Sequence, residues 1–257
     1  PVPESNLLWR DKHTRSITRN HGKQRTSNVR IDIIVEGINE GKTWACGLEF
    51  DYANEEGFHC RPLRLKSGKS PDRMVVPDLK GRMDIAFLPP MSGLADREFL
   101  KQPGEIGVLL GQGQTAQVLR NLCYRVYNDD SPSANWSDIV ASISDIFGVT
   151  LLDPVMRETA EITLAYTDEN GQEFDLSASG RGLQQTLLLL AHLYANPHSV
   201  LLMDEPDAHL EILRQRQIYS LITETARKQN SQIIAASHSE VVLNEAATND
   251  TVIAFVG

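Results

Sequence analysis

Three short stretches of this 257-residue chain carry side chains whose types and spacing suit phosphate chemistry. The apolar run SVLLM ends on two adjacent carboxylates, Asp204 and Glu205, followed by Pro206. A carboxylate at the tip of an apolar strand can hold a hydrated magnesium ion, a hard cation that takes oxygen ligands and keeps several waters, so Asp204 is the candidate metal ligand. Glu205 points elsewhere and is the candidate base for a water attacking a terminal phosphate, a role that contributes roughly 10²–10⁴ in rate. A second apolar run, QIIAA, ends on Ser237 and His238, which sets an imidazole beside the proposed magnesium carboxylate. Upstream, SASGRGLQQ brings Ser179, Gly180 and Gly182 to a helix start, where unpaired N–H groups and the helix dipole attract an anion. Each stretch also has a plain structural reading: acids that solvate a strand end, Ser and Gly that cap a helix, a histidine satisfied by nearby backbone. Their joint placement at adjacent strand ends describes a nucleotide site. Asp207 and His209 follow just past the acidic pair, where a partner subunit could read them, and His192 falls inside an apolar helix as a core residue.

The elements that must position these groups alternate helix and strand from Ser177 onward. GLQQTLLLLAHLY is apolar nearly all round and predicts a buried helix stopped at Asn196-Pro197. SVLLMDE is a continuous hydrophobic run of the kind found in parallel strands covered on both faces. The next helix is amphipathic, with Leu210, Leu213, Ile218, Leu221 and Ile222 inward; QIIAAS is a second buried strand, SEVVLNEAA a short helix and TVIAFV a third strand. This alternation predicts a parallel sheet between helical layers, with ligands at the carboxyl ends of its strands.

Before this core the pattern differs. After a polar, basic lead-in, VRIDIIV, TWACGLEFDY and FHCRPLRL alternate as half-buried antiparallel strands. MDIAFLPP is a short buried strand, residues 96–147 are mainly helical, and EITLAYTDENGQEFDLS is a hairpin turning at residues 168–171. The expected domains are an antiparallel β subdomain with its basic lead-in over 1–94, a helical lobe over 95–158 and an α/β core over 159–257.

Composition sets the class. At 41% hydrophobic residues the chain can bury a large core, and no apolar run or charged-then-apolar start marks a membrane span or secretory signal, which predicts a cytoplasmic protein. Its three cysteines are far apart and suggest neither a zinc site nor a disulfide framework, only buried thiols. The net charge of −9 argues against a protein that coats nucleic acid everywhere, yet basic residues crowd Arg10–Arg30 and Arg61–Arg82. Those clusters read either as solvated loops or as a phosphate-contacting face.

The motifs together resemble the heads of ABC-type ATPases. SVLLMDEP is similar to their Walker B strand, SASGRGLQQ to a divergent signature helix, DAHLE to the D-loop and IIAASHS to the switch-histidine strand, in the short form of the branch with SMC-like heads and OLD-type anti-phage ATPases. The resemblance implies an α/β P-loop NTPase fold and a head that sandwiches Mg-ATP between two subunits. It implies Asp204 on magnesium, Glu205 as base, His238 as switch, and Ser179 with Gly180 clamping the other subunit's phosphate, Gly182 and Asp207 belonging to the same motifs. DNA processing or anti-phage defence follows as the expected setting. A second reading makes the chain a non-catalytic, dimerising or DNA-binding head that regulates a larger effector such as a nuclease.

Such ATPases need a phosphate loop, GxxxxGK[ST]. EGINEGKTW is a decoy: three residues separate Gly37 from Gly41, two glutamates would repel phosphate, and a strand-like run follows where a helix is required. Lys42 and Thr43 therefore predict a hairpin turn, and the phosphate loop is expected upstream of Pro1, the fragment by itself being a poor nucleotide binder. IAFLPPMSG resembles the strand leading to the Q-loop but has Pro90 and Met91 where glutamine is expected; Gln112 and Gln114 are substitutes without an assigned role.

Overall fold

The computed structural model describes residues 4–20, 23–39, 41–65, 72–77, 84–91, 93–128 and 132–254. The chain divides into two compact units, Pro1–Arg82 and Met83–Gly257.

In the first unit β1 (Arg15–Asn20) and β2 (Lys23–Asn28) form a two-stranded antiparallel ribbon, where the sequence predicts only a lead-in. β3 (Arg30–Asn39), β4 (Lys42–Asn54) and β5 (Gly57–Pro62) form an antiparallel sheet with β4 central. Asn39 pairs with Lys42 and Ile38 with Thr43 across a turn whose Gly41 has φ 75°, so Lys42 and Thr43 lie in the expected hairpin. The apolar core of this unit is slight: among the described residues only Trp9 and Cys46 are buried hydrophobics. Glu49 is buried as well, and takes ion pairs from Arg30 at 3.2 Å, Arg64 at 3.7 Å and Arg73 at 3.0 Å. Burial disfavours its charge, but the hydrogen bond and charge of Arg73, with Arg64 and Arg30, outweigh that and hold the carboxyl below its ordinary value.

The second unit opens with β6 (Ile85–Leu88) and a helical section of α1 (Pro103–Gly111), α2 (Leu119–Tyr127) and α3 (Pro132–Phe147). Short strands follow: β7 (Thr150–Leu151), β8 (Val155–Met156), β9 (Ile162–Thr163), β10 (Ala165–Thr167) and β11 (Glu173–Asp175), the last two forming the expected hairpin. α4 (Arg181–Ala195), β12 (Val200–Asp204), α5 (Ile212–Lys228), β13 (Gln232–Ala236) and α6 (Glu240–Asn249) complete it. Every residue of α4 from Leu183 to Ala195 is buried. Each of its leucines contributes about 1.5–3 kcal/mol by leaving water, which explains an apolar pattern with no polar face. α2 starts on a buried acid: Glu98 accepts from the N–H groups of Arg120 and Asn121 at 3.0 and 2.7 Å, replacing two acceptors that a helix start lacks. Burial still pushes the Glu98 carboxyl up.

The core sheet is parallel, in the order β13–β12–β6, which confirms an α/β core. Its third strand is β6 rather than TVIAFV: residues 251–254 belong to no strand, and residues 255–257 lie outside the described residues. β12 is covered on one face only among the described residues. Leu201 and Met203 are buried against the core while Val200 and Leu202 are half-buried. Among the described residues β13 is an edge strand with Ile234 62% exposed, not a buried one, because an apolar composition does not say which neighbours a strand has. Leu213 is 86% exposed; α5 begins at Ile212, and its inward stripe starts only with Ile218 and Ile222. Of the cysteines, Cys46 and Cys123 are buried and Cys60 is exposed, all free. Among the described residues no helix is long and apolar enough to cross a membrane.

Candidate functional site

β12 and β13 run parallel with Asp204 opposite Ala236, so the acidic pair and Ser237-His238 leave the sheet side by side. The Glu205 N–H extends the ladder by one bond, to the Ala236 carbonyl at 2.8 Å. At that point the chain turns: Glu205 takes φ 45°, a left-handed value that a non-glycine residue holds at a cost of about 1–2 kcal/mol. Pro206 is buried and cannot continue a strand. A carbonyl bond from Ala208 N–H to Glu205 and another from Leu210 N–H to Asp207 wind residues 205–210 into consecutive turns. Asp204, Glu205 and His238 are exposed, and their side chains have no hydrogen-bond or ion-pair partner among the described residues.

A hydrogen-bonded ring locks this arrangement. The Ser237 hydroxyl donates to Asp207 at 2.6 Å and accepts from the Ser239 N–H at 3.0 Å. The Ser239 hydroxyl donates to Gln215 at 2.7 Å while capping α6 through the Val242 N–H at 3.2 Å, and Gln215 donates to the Leu210 carbonyl at 3.2 Å. Asp207 is thus engaged within its own chain. Ser237, Ser239 and Gln215 come from two further segments, and no local pattern marks them as partners of residues 207–210.

The second group lies at the start of α4. Asp175 accepts from the Ser177 N–H at 2.9 Å and from the buried Arg120 guanidinium at 3.2 Å. Burial raises the Asp175 pKa less than these two donors lower it, so it stays below its ordinary value. The turn it holds delivers Ser179, whose hydroxyl donates to the Leu176 carbonyl at 2.7 Å, and Gly180, the N-cap of α4. A hollow of about 290 Å³ opens there, lined by Ser179, Gly180, Gly182, His209 and Arg214 among others. An added Cβ at Gly182 would lie 3.1 Å from the His209 carbonyl oxygen and 3.1 Å from Leu210, so glycine lets the 209–210 backbone rest on the helix without displacement. An added Cβ at Gly180 would meet nothing within 4 Å. Arg214 stacks over the Phe147 ring at 5.1 Å and pairs with Glu211 at 3.7 Å.

The predicted residues therefore fall into two groups joined by residues 205–211: Asp204, Glu205, Asp207 and His238 at the strand tips, and Ser179, Gly180 and Gly182 at the hollow. His192 is buried in α4, and burial holds its pKa down to about 4. Gln112 and Gln114 bond each other at 3.2 Å. The Met91 N–H, where the resemblance expects a Q-loop, donates to Gln185 of α4 at 2.7 Å.

Magnesium fits the strand tips by the chemistry of the donors. Asp204 offers exposed carboxylate oxygens, and no cluster of three or more His, Cys, Asp or Glu stands among the described residues. A single carboxylate with water and substrate phosphate making up the rest is the way this ion is commonly held.

Among solved structures, the Smc head domain with a coiled coil and joint from Pyrococcus yayanosii is 19% identical, with 55% of this chain and 26% of that chain covered and a TM-score of 0.37. The SMC head domain from Thermotoga maritima is 16% identical, covering 84% of this chain and 66% of that one at a TM-score of 0.42. The SmcHead bound to the C-winged helix domain of ScpA is 13% identical, with 84% and 68% covered, also at 0.42. The chain spans about a quarter of the length of the Pyrococcus yayanosii chain. No curated protein matches it. A family model described as "AAA domain, putative AbiEii toxin, Type IV TA system" matches residues 83–244, which run from β6 through the strand tips into α6. The chain belongs to this AAA-domain family, an ATPase class of α/β fold.

Proposed function

We propose that the chain is the nucleotide-handling part of an ATPase that binds and hydrolyses Mg-ATP as two copies close on each other. The observation that carries this reading is the pair of strand tips, where the left-handed Glu205 is bonded to Ala236 and three exposed polar side chains of the right kinds stand without partners among the described residues. In this reading Asp204 holds magnesium, which supplies charge neutralisation for the phosphates. Glu205 accepts a proton at its carboxylate from the attacking water, and His238 senses the terminal phosphate. The ring through Asp207, Ser237, Ser239 and Gln215 keeps the two tips in one register. Ser179, Gly180 and Gly182 present the start of α4 to the nucleotide of the other copy, since the 205–211 turn connects that hollow to the strand tips. The setting in this reading is anti-phage defence or DNA processing; the family description names a putative toxin of a Type IV TA system.

The test is turnover by the intact protein with Glu205→Gln. Loss of roughly 10²–10⁴ in hydrolysis rate with ATP still bound is expected. Undiminished turnover removes Glu205 from the role.

A further inference from the structure

We infer that the β1–β2 ribbon is a docking element for duplex DNA, seated in the major groove. This inference is independent of the nucleotide reading, since every residue it uses lies in the Pro1–Arg82 unit.

The ribbon carries no apolar cargo. Ile17 is its only aliphatic side chain and is 59% exposed, so no core among the described residues accounts for RSITRN and KQRTSN. A two-stranded ribbon is marginal by itself and needs an anchor. The anchor is at its base: Asn28 donates to Asp51 at 2.8 Å and to the Tyr52 carbonyl at 3.3 Å, and the buried Trp9 donates its indole N–H to the Val29 carbonyl at 2.7 Å. Two consecutive left-handed residues, Asp11 with φ 51° and Lys12 with φ 57°, turn the chain from that anchor into β1.

What rises from the base is cationic. Residues 12–31 hold six Lys and Arg and no acid, in a chain of net charge −9. Lys12 is paired with Glu4 at 3.5 Å, and Arg15 shares an open hollow with Glu55 and Glu56, so the acids sit at the foot. Farther out, Arg19 and Arg25 are exposed and form no ion pair among the described residues. Arg19 stands opposite Gln24 and Arg25 opposite Thr18, which places one guanidinium on each face of the ribbon. Between them Thr18, Gln24 and Thr26 are short polar side chains of the kind that reach phosphates and base edges.

Shape selects among polyanions. Six residues per strand extend about 20 Å, and two strands lie about 5 Å apart before side chains are added. The B-DNA major groove, about 12 Å wide, admits such a ribbon with an arginine toward each bordering backbone. The major groove of duplex RNA is too narrow for it.

The experiment is fluorescence anisotropy of the full chain with a labelled DNA duplex several turns long, titrated between about 50 and 200 mM salt. Binding in the range of about 10⁻⁴–10⁻⁶ M is expected, weakening with salt. Arg19→Gln/Arg25→Gln should lower the slope of log affinity against log salt by about two, at 0.9 per lost phosphate contact. Arg19→Lys/Arg25→Lys, which keeps the charges, should restore it. Arg216→Gln/Arg227→Gln, the same charge change in the other unit, should leave it alone. An unchanged slope in the ribbon variant, an equal loss in the Arg216/Arg227 control, binding to an RNA duplex as tight as to DNA, or binding to phosphatidylserine vesicles with none to DNA would each overturn the inference.

Discussion

Two glycines at the start of α4 should respond differently to the same added methyl group, one in stability and the other in function. At Gly182 the new Cβ lies 3.1 Å from the His209 carbonyl oxygen and 3.1 Å from a Leu210 methyl. Leu210 can rotate aside, but the His209 carbonyl is fixed by a backbone with φ 66° and by the bonds that tie 207–210 to Ser237 and Gln215. Forcing those atoms apart costs about 1–3 kcal/mol, and alanine's better helix propensity returns about 0.5–1 kcal/mol. Gly182→Ala should therefore destabilise by up to about 2.5 kcal/mol, with about 1 kcal/mol the central value, read as a lower urea midpoint with unchanged slope. At Gly180 φ is −66°, an ordinary value, and no atom stands within 4 Å. Gly180→Ala should change stability by less than about 1 kcal/mol, alanine's poorer fit to an N-cap offsetting what it gains by restricting the unfolded chain, while its methyl enters the hollow where a phosphate would meet the helix N–H groups. Nucleotide-dependent pairing and turnover of the intact protein should fall although the fold does not. A Gly182→Ala variant more stable than the parent would refute the packing argument, and a Gly180→Ala variant with full turnover would refute the role of the hollow.

His192 should make stability fall in mild acid. Its folded pKa of about 4 lies below the ordinary value near 6.5, so the unfolded chain takes the proton first and stability drops as pH falls through that window. The loss amounts to about 2 kcal/mol by about pH 5 and about 3 kcal/mol at completion, and His192→Gln should flatten it in urea titrations at several pH values. Ser237→Ala opens the ring at the bond to the Asp207 carboxylate and should cost about 1.5–3 kcal/mol. A calorimetric midpoint unchanged by that substitution would mean the ring contributes nothing.

Legibility followed the physics of each segment. The buried helix α4 and strand β12 could be read directly, because a leucine run of helical length and a short apolar run ending on Asp204 each leave few alternatives. The covering of a strand could not, since the exposure of Ile234 depends on which elements lie beside β13, and that is a tertiary fact. The exposure of Leu213 is not legible because an amphipathic stripe does not show where its covering ends, and the chain leaves this helix end open. The β1–β2 ribbon gave no signal at all: Ile17 alone supplies no alternation, so neither period can be seen. At the site, Asp204, Glu205 and His238 were visible as strand-terminal polar groups. Ser239 and Gln215 were not, nor was the bond from Ser237 to Asp207, since hydrogen bonds that join segments 24 or 30 residues apart leave no periodicity between them.

The central claim is that the carboxylates ending β12 handle a metal-bound triphosphate. A crystal structure of the intact protein with magnesium and a non-hydrolysable ATP analogue tests it most directly. The expected result is a metal at about 2.1 Å from an Asp204 oxygen, or one water removed from it, with the terminal phosphate facing Glu205 and His238. A nucleotide and metal seated away from these three side chains would contradict the account.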